Sequence, residues 1–153
     1  MSDGGGLIVR ALVVYEAMTG NLHEVAMRVA LGLTEHAEVT VIPVGEATPY
    51  HVAGADLLVV GAPSDQPWGP LDEWLDDLLP AHGTPAAVFD TCIEARAGLV
   101  ESAAEEIAGR LAANGYALVA PPQRFFVDYR LQLLPGEAER AAEWGTTLAP
   151  QLV

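Results

Sequence analysis

Apolar residues are distributed along this chain in two alternating rhythms. Leu7 to Tyr15 (LIVRALVVY) is a nearly continuous β-branched and aliphatic run of strand length, the pattern of a parallel strand covered on both faces. Val39 to Val44, Leu57 to Gly61 and Ala86 to Asp90 have the same character, and a shorter run, Ala117 to Ala120, stops at Pro121-Pro122. Between the runs the period changes to that of a helix. Leu22, Val25, Ala26, Val29 and Leu33 recur at spacings of three and four after Asn21, which pairs with Glu24 in the manner of a capping box. Leu99, Ala103, Ala104, Ile107, Ala108 and Leu111 form a second stripe, closed by Asn114-Gly115, a pair suited to a left-handed C-terminal cap. Pro70 opens a shorter helix carrying Leu71, Trp74, Leu75 and Leu78, and Pro135 precedes the last, carrying Ala138, Ala141, Trp144 and Leu148. The weakly periodic stretch from Gly45 to Ala55 holds at most a short helix or turn.

Strands alternating with helices imply right-handed βαβ crossovers, and so an α/β doubly wound three-layer sandwich around a five-stranded parallel sheet. Ligands in such sheets bind beyond the carboxyl ends of the strands, which singles out the loops Glu16 to Asn21, Ala62 to Gly69 and Thr91 to Gly98. With 153 residues, 51% of them hydrophobic, the chain matches one domain, expected over 7–153 after a disordered leader, 1–6.

Charge and cysteine count narrow the chemistry. The chain carries 21 acidic and 7 basic residues for a net charge of −14, which repels nucleic acid and anionic membrane surfaces. A basic protein is the natural partner, although acidity also serves solubility alone. No apolar run approaches the roughly 20 residues of a membrane helix, and a cytoplasmic location is expected. Cys92 is the only cysteine, so an intramolecular disulfide, a thiolate zinc cluster and an iron–sulfur cluster are excluded. His23, His36, His51 and His82 lack the spacing of a metal site, and no metal is expected. The nucleophile elbow, the Walker loop and the Gly-x-Gly-x-x-Gly fingerprint are all missing. Redox chemistry, if present, belongs to an organic cofactor.

The segment Ala11 to Leu33, ALVVYEAMTGNLHEVAMRVALGL, resembles the opening of a flavodoxin: strand, short Thr-Gly-Asn loop, amphipathic helix. The order of elements along the whole chain is similar, as is Gly61-Ala62-Pro63-Ser64 to a second flavin-contacting loop, and the short fifth-strand region resembles the short-chain type. The resemblance implies strand order 2-1-3-4-5, flavin mononucleotide (FMN) as cofactor, and electron transfer rather than conversion of a substrate. It places the FMN contacts at Glu16, Ala17, Met18, Thr19, Gly20, Asn21 and Leu22 in the first loop, at Pro63, Ser64, Asp65, Trp68 and Gly69 in the second, and at Asp90, Thr91 and Cys92 in the third. A helix N-terminus offers unpaired N–H groups and a partial positive charge, and so holds phosphate without Lys or Arg. The family pattern Ser/Thr-x-Thr-Gly-x-Thr reads Ala17-Met18-Thr19-Gly20-Asn21-Leu22 here, so only Thr19 keeps a hydroxyl, with Asn21 as an amide donor. Each hydrogen bond lost to a charged group costs roughly 1.5–3 kcal/mol. With flavin bound, the acidic surface disfavours a second negative charge on the reduced ring, and a basic redox protein is the implied partner.

Trp68 has two readings, a ring stacked on the flavin or a plug over the helix that starts at Pro70. The tyrosine with which many flavodoxins cover the outer flavin face is missing, and Cys92 is read as a buried, inert thiol. His23, one turn into the first helix, is a candidate anion contact or proton donor. Asp65, Asp90 and Glu94 are candidates to converge beside Trp68 and Cys92 as acid/base groups, with the aromatic stretch Phe125 to Leu134 as a cover. That grouping belongs to the alternative function: a protein of this fold that has lost FMN and acts as a cofactor-independent enzyme or small-molecule-binding protein.

Overall fold

The structure, a computed structural model, describes residues 8–18 and 20–148; the 1–6 leader, Leu7 and Thr19 lie outside the described residues. β1 (Arg10–Tyr15), β2 (Glu38–Pro43), β3 (Leu57–Pro63) and β4 (Pro85–Ile93) align in parallel, in the order β2-β1-β3-β4. Apart from Arg10, β1 and β3 are buried throughout, as their unbroken apolar runs require.

The fifth position is split. β5 (Ala117–Leu118) pairs with the start of β4, and β6 (Gln123–Val127) pairs with its end, Phe89 to Ile93. Proline has no N–H to give a ladder, so Pro121-Pro122 interrupts the edge strand, and the chain then resumes the same edge. The expected strand Ala117 to Ala120 is therefore shorter at its own place and continues where an aromatic cover was expected. Phe125 and Val127 are core residues of β6.

Alternation along each strand divides the core into two layers. Ala11, Val13, Tyr15, Phe89 and Phe125 face α1 (Gly20–Leu33) and α5 (Glu137–Leu148). Leu12, Val14, Leu58, Val60 and Val88 face α3 (Leu71–Asp77) and α4 (Ala103–Ala113). A 3₁₀ turn at Val44–Glu46 and α2 (Pro49–Ala53) fill the weakly periodic stretch.

Leu99 departs from the expected stripe: it is 84% exposed and precedes α4, whose N-cap is Ser102. The cap at the other end is as expected, with Asn114 at the C-cap and Gly115 at φ +96°, where a side chain would be strained.

α1 and α5 lie unusually close because glycines meet backbone across their contact. A Cβ on Gly145 would stand 2.2 Å from the Val29 carbonyl oxygen, and one on Gly32 would stand 2.1 Å from that of Ala142. Trp144 closes this layer edge-on to Phe89 and Phe125. No helix among the described residues is long and apolar enough to cross a membrane.

Candidate functional site at the strand ends

The carboxyl ends of β1, β3 and β4 carry the three expected loops, and hydrogen bonds tie them together. Glu16 prolongs β1 by one rung, its N–H donating to the Gly61 carbonyl at 3.1 Å. Ser64 does the same for β3, donating to the Thr91 carbonyl at 2.9 Å. Asp65 Oδ2 accepts the Ile93 N–H at 2.8 Å, linking the second loop to the third. Gly69 reaches back over the first loop at φ +54°, where a Cβ would stand 2.8 Å from Met18 Sδ and 3.5 Å from Glu16 Oε1.

Glu16 is the unusual residue of this cleft. Tyr15 belongs to the layer of α1 and α5, so alternation turns the next side chain to the other face, beneath Gly69. Its carboxylate is 1% exposed; Oε1 accepts the Met18 N–H at 2.8 Å, and Oε2 has no donor. Asn21, 6% exposed, is similar: Nδ2 donates to the Leu131 carbonyl at 3.1 Å, while Oδ1 has no donor. Glu16 and Asn21 are the only residues with such buried, unpartnered side-chain atoms among the described residues, and both flank the start of α1. Met18 is 71% exposed and shares an open cleft with Asn21, Glu24 and the turn Arg130 to Leu133.

That turn is held by Asp128, whose Oδ1 accepts the N–H groups of Arg130 and Gln132. The latter part of the Phe125 to Leu134 segment therefore lies beside the first loop, while its start is strand. Tyr129 is exposed, and Arg130 makes no ion pair among the described residues.

Several expected contacts are engaged elsewhere. Leu22 is buried in the core, Ala17 is exposed without a polar side chain, and one of the two Asn21 amide hydrogens is given to the Leu131 carbonyl. Trp68 is half-buried against the layer of α3 and α4 and donates its indole N–H to the Pro63 carbonyl at 3.1 Å, the geometry of the plug. It also lines a cleft with Ser64, Gln66 and Ser102. His23 faces Tyr15, with Nδ1 2.8 Å from the phenol oxygen. Burial, then the nearby Glu46 carboxylate, raises the Tyr15 pKa above its ordinary value.

The expected convergence of Asp65, Asp90 and Glu94 is not what the fold builds. Asp65 is bound to the Ile93 amide and Glu94 is exposed. Asp90 is fully buried: Oδ1 accepts Arg124 Nε at 3.0 Å, and Oδ2 accepts the Ser102 hydroxyl at 2.8 Å and the Ala104 N–H at 3.1 Å. Arg124 also donates to Ser64 Oγ at 3.1 Å. Asp90 is thus a buried, charge-paired anchor joining β4, β6 and the N-terminus of α4, out of reach of a ligand in the cleft. Cys92 is buried in β4, and burial pushes its thiol pKa up, the reverse of what a reactive thiolate requires.

Among solved structures, a short-chain flavodoxin associated with a non-canonical PDU bacterial microcompartment superposes with a TM-score of 0.79 at 24% identity, covering 95% of this chain and 100% of that one. A flavodoxin from the domain Archaea gives 0.78 at 18% identity, covering 94% and 99%. The chain has the flavodoxin fold. A Streptococcus pneumonia TIGR4 flavodoxin, at TM-score 0.74 and 22% identity over 94% and 99%, shares it as well. No protein-family model matches the sequence, and no curated protein matches it either.

In this flavodoxin-like cleft, the fit to a flavin divides at the sugar chain. Two buried acceptors without donors, Glu16 Oε2 and Asn21 Oδ1, suit the hydroxyls of a ribityl chain, which donate. The start of α1 and Arg130 are the groups suited to a phosphate. Arg124 and Ser102 escaped the sequence reading. The parallel register sets Asp90 opposite Arg124, a signal visible only to a reading that carries the edge strand past Pro121-Pro122.

Proposed function

We propose that this chain binds a flavin, FMN in the first instance, in the strand-end cleft and serves as an electron carrier. The observation that supports this most directly is the pair of buried, donorless acceptors, Glu16 Oε2 and Asn21 Oδ1, beside the N-terminus of α1. The flavin, when bound, supplies one- and two-electron redox chemistry. The chain's own residues supply the container: Gly69 admits the second loop close to Met18, Asp65 holds the third loop, and Glu16 and Asn21 orient the hydroxylated part of the ligand. A net charge of −14 and the acidic face of α3 and α4, where Arg110 is enclosed by Asp72 and Asp76, favour a basic protein as electron partner. A cytoplasmic site of action belongs to the same proposal.

Titration of the purified apoprotein with FMN, followed by quenching of flavin fluorescence, tests the reading. Saturable quenching at one flavin per chain is expected. Folded protein that quenches no flavin overturns it. That outcome favours the second reading, a flavin-free binder of other small molecules, which the Trp68 plug and the missing hydroxyls at Ala17 and Leu22 support.

A further inference from the structure

We propose that the first loop selects its flavin by hydroxyl groups and not by phosphate, with Glu16 as the discriminating residue, so that unphosphorylated riboflavin is at least as good a ligand as FMN. The inference rests on the flavin reading above and assigns the ligand class of that same site.

The Glu16 carboxylate brings a negative charge into the first loop, which leads directly into the start of α1. Its Oε1 already occupies the Met18 N–H at 2.8 Å, so the protein's own anion holds a backbone donor that an incoming anion needs. What the carboxylate still lacks is a donor for Oε2, and Asn21 Oδ1, on the first turn of α1, lacks one too. Buried acceptors are satisfied by O–H or N–H groups. A phosphate monoester, with its second pKa near 6, is an acceptor-only dianion at neutral pH and satisfies neither. Two like charges held close together repel, which weakens the binding of an anion there.

Against this repulsion stand the start of α1 and one loop hydroxyl, that of Thr19, which lies outside the described residues; Ala17 and Leu22 bring no hydroxyl, and Leu22 is sunk in the core. Arg130 is the one cation lining the adjoining cleft, and Glu24 lines it as well. FMN and riboflavin share the inner ribityl hydroxyls that can donate to Glu16 Oε2 and Asn21 Oδ1; at the chain's end riboflavin adds one more donor and no charge, where FMN adds an anion without donors.

The test is a titration of the whole apoprotein with riboflavin, FMN and lumiflavin, which keeps the ring and lacks the hydroxylated chain, for the natural protein and for Glu16→Gln. Riboflavin is expected to bind as tightly as FMN or more tightly, and lumiflavin about tenfold more weakly than riboflavin. Glu16→Gln removes the charge with little change in shape and is expected to shift the preference toward FMN by about tenfold, equivalent to ~1.4 kcal/mol. A natural protein that prefers FMN over riboflavin by tenfold or more overturns the inference while leaving the flavin reading intact, and this comparison needs no variant to fold. A Glu16→Gln protein with an unchanged preference overturns the role of Glu16. Failure of all three flavins to bind folded protein overturns the flavin reading itself, and the inference with it.

Discussion

Substituting Gly145 by alanine probes the contact that sets α1 against α5 and so places the start of α1 beside the Arg130 turn. On an exposed helix the change is favourable, since alanine exceeds glycine in helix propensity by about 1 kcal/mol. Gly109 on α4 is such a site: a Cβ there meets nothing within 4 Å. At Gly145 the new methyl group would stand 2.2 Å from the Val29 oxygen and 3.0 Å from its carbonyl carbon, both backbone atoms that cannot swing aside. An ordinary carbon–oxygen contact is about 3.3 Å or longer, so the helices must part by roughly 1 Å. Separation loosens Val25, Val29, Ala141 and Leu148, all buried in that layer. Overpacking of this kind costs about 1–3 kcal/mol, and a backbone obstruction lies at the upper end. Net of the propensity gain, Gly145→Ala is expected to lose about 2 kcal/mol, which in a domain of this size lowers the melting temperature by roughly 4–8 °C. Gly109→Ala is expected to raise it by roughly 2–4 °C. Thermal unfolding followed by circular dichroism reads both, and urea midpoints at unchanged slope check that stability alone has moved. A Gly145→Ala protein as stable as its parent, or two variants that shift together, would refute the steric reasoning.

Removing Arg124 leaves Asp90, fully buried, with two neutral donors and no cation; Arg124→Ala is expected to cost about 3–5 kcal/mol in chemical denaturation, and a loss below ~1 kcal/mol would show the pair to be dispensable. A second ionic tie has a pH signature. Glu137 is held below the ordinary glutamate range by its hydrogen bonds to Arg140, then by the Phe126 N–H at 2.7 Å, against the opposing effect of burial. A carboxylate with a lowered folded pKa adds stability that is present above its unfolded value, near about 4.3, and disappears as pH falls through the folded value. Urea midpoints measured through that acid range should fall less steeply for Glu137→Gln than for the parent; parallel profiles would show that the tie of β6 to α5 contributes nothing to acid sensitivity.

The local rhythm of the sequence determined most of the architecture. β1 and β3 are legible because a strand covered on both faces must be apolar at successive positions, and α1 because Leu22, Val25, Ala26, Val29 and Leu33 can share one face only in a helix. Asn114-Gly115 announced its cap for the same kind of reason, since the left-handed conformation is a property of one residue. Leu99 shows the limit of periodicity: an apolar residue in phase with a helix can still precede its cap.

The site followed other rules. That the loops Glu16 to Asn21, Ala62 to Gly69 and Thr91 to Gly98 would meet follows from the topology of a parallel sheet, and so was readable in advance. Which groups in them remain available was decided by tertiary partners far away in sequence. Asp90 carries a carboxylate in any reading of the chain, but only β6, in register beside β4, brings the Arg124 that neutralises it. Asn21 can donate or accept, and the turn preceding α5 took one of its amide hydrogens and left its oxygen. Glu16 could have faced solvent at the end of its strand; alternation turned it inward and Gly69 closed over it. Periodicity is a short-range property, fixed by a few residues of backbone geometry, whereas the protonation and partnering of a polar group depend on atoms that only chain closure brings within hydrogen-bonding distance.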